Sequence, residues 1–253
     1  MTMDEQATRK IVQWLAWCGP AWVVAYLITW GIMGHDLPCP GQADTSAVFV
    51  ANYYIKYRTS IEYGMALAAC VGALYMPWSV VLSYQMWSRE KVPLLSLLQL
   101  SGGILTAFLI VCTASLWTWC ARWAGTPGID PELIKTVHFA TWYVFDMTYN
   151  VTNVQILGCG LFAILDKRKP TIFPAWLGWL GFATALSFFG ETVMPFHDDG
   201  PLAINGWWNF HVGFLTWFVW FGAYSVYVVK EAYRTSAAPA HAIGQTIRGG
   251  ASI

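Results

Sequence analysis

Apolar residues occupy six long blocks along the chain, roughly 11–33, 61–86, 95–121, 136–164, 174–196 and 206–230, divided by short polar segments. Each is long enough to cross a hydrocarbon core about 30 Å thick, which takes about 20 helical residues. In lipid the backbone must satisfy its own hydrogen bonds, so only helices or closed barrels span it. These blocks far exceed the roughly 10-residue alternating strands of a barrel. The pattern predicts an all-α integral membrane bundle of six transmembrane helices. It forms one domain over 1–235, with a small, polar tail at 236–253 expected to be disordered.

The segments between blocks refine this picture. "TSAVFVANYYIKYR" (45–58) reads either as an amphipathic helix lying in the outer interface or as an ordinary capping loop. "GHDLPCPGQADT" before it reads as a turn punctuated by proline and glycine. Basic residues fall at Arg9 and Lys10, at Arg89 and Lys91, at Lys167 to Lys169, and at Lys230 and Arg234. By the positive-inside rule these alternate segments, and both termini, face the cytoplasm. Lys56 and Arg58 on the other side dilute the bias. "MTMDEQATRK" is too polar to open a signal peptide, so the first block is expected to be retained as a span.

Composition agrees: 57% of residues are apolar, 17% aromatic and 11% charged, and the formal net charge is zero. A neutral chain without a basic patch offers nothing to neutralise phosphates, which sets nucleic acid aside as a partner. The six cysteines form no CxxC pair and no zinc spacing. Cys39 and Cys120 fall on the same outer side, where an oxidising compartment would permit a disulfide; two free thiols are the competing reading.

Ionisable groups inside a bilayer cost at least a few kcal/mol each and normally face a bundle interior or a water-filled cavity. On a continuous helix His138, Trp142, Asp146, Tyr149 and Asn153 fall within about 80° of one another. Glu191, near the outer end of the fifth block, and His211, near the start of the sixth, sit at similar depth on adjacent antiparallel helices. Glu62 enters from the same side. The expectation is an outer-half polar pocket with Glu191 and His211 as a proton-handling pair, His138 and Asp146 as a second pair, and Glu62 orienting. Trp142, Tyr149, Asn153 and Trp208 would wall it for a flat hydrophobic ligand. His197, Asp198 and Asp199 read mainly as solvated turn residues. A metal held by His138, His211, Glu62 and Glu191 is a weaker reading, because no HxxxH, HxxH or ExxH spacing occurs. A haem between the two histidines is weaker still, and nothing in the sequence requires a cofactor.

From about 57 to 234 the chain resembles an uncharacterised family of bacterial six-helix inner-membrane proteins, through "YRTSIEYGMALAACVGALYMPW", "FPAWLGWLGFATALSFF" and "DGPLAINGWWNF". The resemblance implies the topology and a bacterial cytoplasmic membrane, and transfers no activity or catalytic residue.

Taken together, the leading expectation is a membrane-embedded enzyme acting by acid–base or metal-assisted chemistry on a hydrophobic small molecule such as a terpenoid, steroid or other lipid. The alternatives are a protein that binds or transports protons or a small solute, and an accessory subunit of a membrane complex or homo-oligomer. Against a transporter stand the small size and the lack of a visible repeat or of paired broken helices. Proton transport would favour a polar chain continuing from Asp146 through Asn153 to the cytoplasm, while an enzyme needs only a closed outer-half pocket.

Overall fold

The computed structural model describes residues 4–237. No β-strand occurs among the described residues. Six helical segments are long and apolar enough to cross a membrane: Glu5–Met33, Ala47–Trp87, Leu94–Trp123, Pro131–Leu165, Ala175–Phe196 and Trp207–Arg234. The fold is therefore the expected all-α, six-span membrane bundle. Of the expected tail, 236 and 237 complete the last helix and 238–253 lie outside the described residues.

Helix starts follow local chemistry. Asp4 caps α1 (Glu5–Tyr26), accepting from the Gln6 amide at 3.3 Å. Ser46 caps α2 (Ala47–Gly72) through the Phe49 amide, also at 3.3 Å. Asp130 accepts from the Glu132 amide at 2.9 Å, and Pro131 takes the first position of α5 (Pro131–Met147), where no N–H is needed. Each cap satisfies an amide that a helix start leaves without a partner.

Residues 45–58 do not form a separate interfacial helix. α2 runs unbroken from Ala47 to Gly72 and continues, past a turn at 73–74, as α3 (Tyr75–Trp87). This span has 41 residues; at about 1.5 Å per residue it is roughly twice as long as the hydrocarbon core is thick, so part of it stands clear of the lipid. Val50, Ala51 and Tyr54 are buried against the bundle. Arg58 donates to the carbonyls of Ala121, at 3.1 Å, and Ala124, capping the last turn of α4 (Leu94–Trp123). A basic residue that blurred the charge bias thus has a structural task.

The spans stand in a ring in chain order. α4 packs between α2 and α6 (Tyr149–Leu165), α6 against α7 (Ala175–Ser187), α7 against α8 (Phe214–Ala237), and α8 back on α1. An aromatic column fills the ring. Trp22, Tyr26 and Trp30 stack along the first span with centroids 5.1 and 5.5 Å apart, and Trp78, Trp117 and Trp142 close around them, fully buried. Trp14, Trp17, Trp87, Trp123, Trp176, Trp179 and Trp207 are exposed near span ends, where amphipathic rings anchor a membrane interface.

Among the described residues only α4 crosses as an uninterrupted α-helix. α1 loosens into a π-helix at Leu27–Met33, the second span turns at 73–74, and the fourth breaks at Thr148. The fifth tightens into 3-10 turns at Phe188–Thr192 and Met194–Phe196, and the sixth opens as a π-helix at Trp207–Gly213. The interruptions in the fourth and fifth spans place the site.

Candidate functional site

Asp146 is the second-last residue of α5. The helix ends at Thr148, whose hydroxyl turns back to the carbonyls of Val144 (2.7 Å) and Phe145 (3.1 Å). Glu191 lies in the 3-10 turn after α7. Pro195 accounts for that turn: it has no N–H to give, and in an α-helix its ring would collide with the carbonyl four residues back, which belongs to Glu191. Each carboxyl therefore sits where a membrane helix is interrupted, near the middle of the fourth span and toward the end of the fifth.

The two carboxyls are 6% and 4% exposed and act on one another electrostatically. They line one cavity between α4, α5, α6 and the interrupted starts and ends of the last two spans. Thr106, Thr148, Tyr149 and Thr152 supply hydroxyls, and Phe145, Phe188, Phe214 and Trp217 supply apolar walls. Its interior, about 40 Å³ in volume, has room for water, which needs roughly 10–15 Å³. The lining includes no lysine, arginine or histidine. Thr106 and Thr152 share a hydrogen bond of 2.9 Å, and the Tyr149 hydroxyl meets that of Thr192 at 2.6 Å.

The pairing expected from the sequence is therefore redrawn. Glu191 does face the sixth span, but at Gly213, where an added Cβ would come within 3.3 Å of its Oε1. His211, two residues away, points elsewhere and is exposed, because residues two apart on a helix do not share a face. The carboxyl that shares a cavity with Glu191 is Asp146. His138 is fully buried some way off, its Nδ1 2.7 Å from the Tyr54 hydroxyl. Glu62 is half-buried on α2 and does not line the cavity.

Of the expected wall residues only Tyr149 lines the cavity. Trp142 belongs to the aromatic column, Asn153 donates to the Ala185 carbonyl at 3.2 Å, and the Trp208 indole donates to the Ser187 carbonyl at 3.1 Å, tying the sixth span to the fifth. His197, Asp198 and Asp199 are exposed, as turn residues should be. Among the described residues no three His, Cys, Asp or Glu side chains stand together as a metal-ligand set, so His138, His211, Glu62 and Glu191 do not converge on an ion. Cys39 and Cys120 are separate, buried thiols.

Two polar features had no counterpart in the sequence reading. The first is Asp36, in the connection after the first span, which is 2% exposed with Oδ2 lacking a hydrogen-bond partner. Burial holds its carboxyl well above the usual range. Cys39, buried in the same connection, is raised by burial first and then by the carboxyls of Asp36 and Asp146. The second is a buried ladder leading from the cavity toward the end of the bundle that bears the termini. One turn beyond Thr152, Gln155 accepts from the Tyr75 hydroxyl at 2.6 Å and donates to Ser79 at 3.2 Å. One turn beyond Ser79, Ser83 donates to Gln99 and to the Ser96 carbonyl. The Ser96 amide in turn donates to the Glu90 carboxylate at 3.2 Å. The approach is close: a Cβ on Gly103 would lie 2.8 Å from the Gln155 amide nitrogen.

The chain matches no protein-family model, no curated protein and no solved structure.

Proposed function

We propose that the protein binds protons at the Asp146–Glu191 pair and passes them across the membrane. The reading places it in a bacterial cytoplasmic membrane with both termini in the cytoplasm, following the distribution of basic residues. One observation carries it: two buried carboxyls, each on an interrupted membrane helix, face a single water-sized cavity that no cationic side chain enters. Interrupted spans are the usual setting of ion sites in membrane transporters, since backbone that leaves the helix must line a cavity or be buried in protein. Two like charges in so small and buried a site repel one another, so proton binding relieves a cost there and the pair suits taking up and releasing a proton. The ladder through Gln155, Ser79, Ser83 and Ser96 to Glu90 supports a route to the terminus-bearing side. Its stations lie about one helical turn apart, a gap that one bridging water spans.

The test is proton uptake into proteoliposomes with a trapped pH dye, driven by a potassium diffusion potential. Uptake above protein-free vesicles is expected, and Glu191→Gln and Asp146→Asn should each lower it at least tenfold with an unchanged elution profile. No uptake by the native protein, or native rates in both variants, would sink the reading.

The aromatic walls favour a second reading, an acid–base enzyme using the same pair on a hydrophobic small molecule admitted between helices. As it stands the cavity is far below the 300–1,000 Å³ of typical ligand pockets, so the substrate would have to part Phe188 and Phe214. A lipid-soluble molecule that co-purifies in mild detergent and is lost in Glu191→Gln would support it.

A further inference from the structure

On the side opposite the termini, the connection after the first span folds down onto the bundle. His35 stacks on Tyr57 at 4.2 Å, and its carbonyl accepts from the Tyr53 hydroxyl at 2.7 Å. Asp36, next in the chain, is buried, and it acts on groups from α1, α2 and α4 and from the loop itself. The Tyr26 hydroxyl comes from α1, itself buried and unpartnered; Tyr53 and Tyr54 come from α2 and Cys120 from α4, with Cys39 from the loop itself. His138 of α5 adjoins through its bond to Tyr54. No lysine or arginine acts on Asp36 among these neighbours. A surface groove lined by His35, Pro38, Cys39, Pro40 and Tyr53 opens beside the cluster.

We infer that Asp36 is the outer proton-exchange station of the Asp146–Glu191 site, taking protons from the groove and passing them by way of Cys39 and intervening water. Asp36 is 2% exposed with one oxygen lacking a partner, and among the described residues it makes no ion pair. An amide or an apolar side chain of the same size would cost less to bury there. Cys39 is the step inward: it is 2% exposed, lies three residues from Asp36 and lines the groove, and the carboxyls of Asp36 and Asp146 both act on its thiol. The step is a proton hop between carboxyl oxygens through hydroxyl, thiol or water, with no bond to carbon made or broken. The inference rests on the proton-binding reading and adds the side from which the pair is loaded.

The experiment uses the full chain in phosphatidylethanolamine–phosphatidylglycerol vesicles with trapped pH dye, with the pH of each side set independently. Asp36→Asn should slow uptake at least tenfold, and Asp36→Ser tests the same point should the asparagine variant not assemble. Asp36→Glu should keep uptake within about threefold of native while shifting its dependence on the pH of the loop side, leaving the dependence on the other side unchanged. A merely structural Asp36 would give no one-sided shift. Native uptake in Asp36→Asn, alongside the loss in Glu191→Gln, would overturn this inference and leave the site reading standing; no uptake in the native protein would end both.

Discussion

Folding moves Asp36 from water into a cluster of tyrosines and thiols, and the consequence is a pH-dependent stability. Unfolded, its carboxyl titrates near about 3.9; folded, burial holds it well above that. Between the two values the native state keeps a proton that the unfolded state has released. The native state binds more protons, so stability falls as pH rises. The contribution is whole below the ordinary carboxylate range and is lost as pH climbs to the folded value. In detergent, the melting temperature of the native protein should therefore decline relative to Asp36→Asn as pH is raised from about 4. A gap between the two that does not change with pH would mean that water reaches Asp36. Nothing in "GHDLPCPG" announces this burial, because loops have no periodicity from which a face can be read. A lone aspartate between glycine and proline looks like an ordinary turn residue.

At the scale of the element, the interruptions decide what the side chains can do. Replacing Pro195 with alanine removes the steric block on the Glu191 carbonyl and lets the fifth span continue as α-helix, which turns Glu191 away from Gly213 and Asp146. Uptake should fall at least tenfold while the circular dichroism of the bundle shows no loss of helix; native uptake in Pro195→Ala would show that the 3-10 turn is incidental. The contrast between spans also explains what was readable in the sequence. Block length and polarity give six spans, but the caps Asp4, Ser46 and Asp130 start their helices several residues before the apolar blocks begin, because polar turns extend a helix beyond the lipid. The break at Thr148 is different, since Met147-Thr148-Tyr149 contains neither glycine nor proline. A helical wheel drawn straight through it carries both Tyr149 and Asn153 into the site, whereas the reset phase keeps Tyr149 and brings Thr152 in place of Asn153. Glu191 and Asp146 were legible because charge in a bilayer is costly wherever it falls. Their pairing was not, because depth along a helix says nothing of rotation about it, and His211 lies two residues from the position that Glu191 actually meets.

Across the whole molecule, the two polar files differ in chemistry and meet at one pair of carboxyls. Asp36 and Cys39 approach from the loop side, while hydroxyls and amides lead away through Gln155 and Ser83 to Glu90. Gln155 is the test of continuity, because it alone bonds both Tyr75 and Ser79. Gln155→Leu would leave the Tyr75 hydroxyl buried without its acceptor, a loss of about 1–3 kcal/mol in stability, and would put an apolar side chain where bridging water must pass. If the files act in series, uptake in Gln155→Leu should drop about tenfold, and adding Asp36→Asn should slow it little beyond the slower single variant. If the pair serves an enzyme instead, protons need reach it from one side only; Gln155→Leu would then leave loading through Asp36 intact, and proton exchange at the loop side would persist at the native rate. The double-variant rate thus separates a path that crosses the bundle from a pocket that opens on one face.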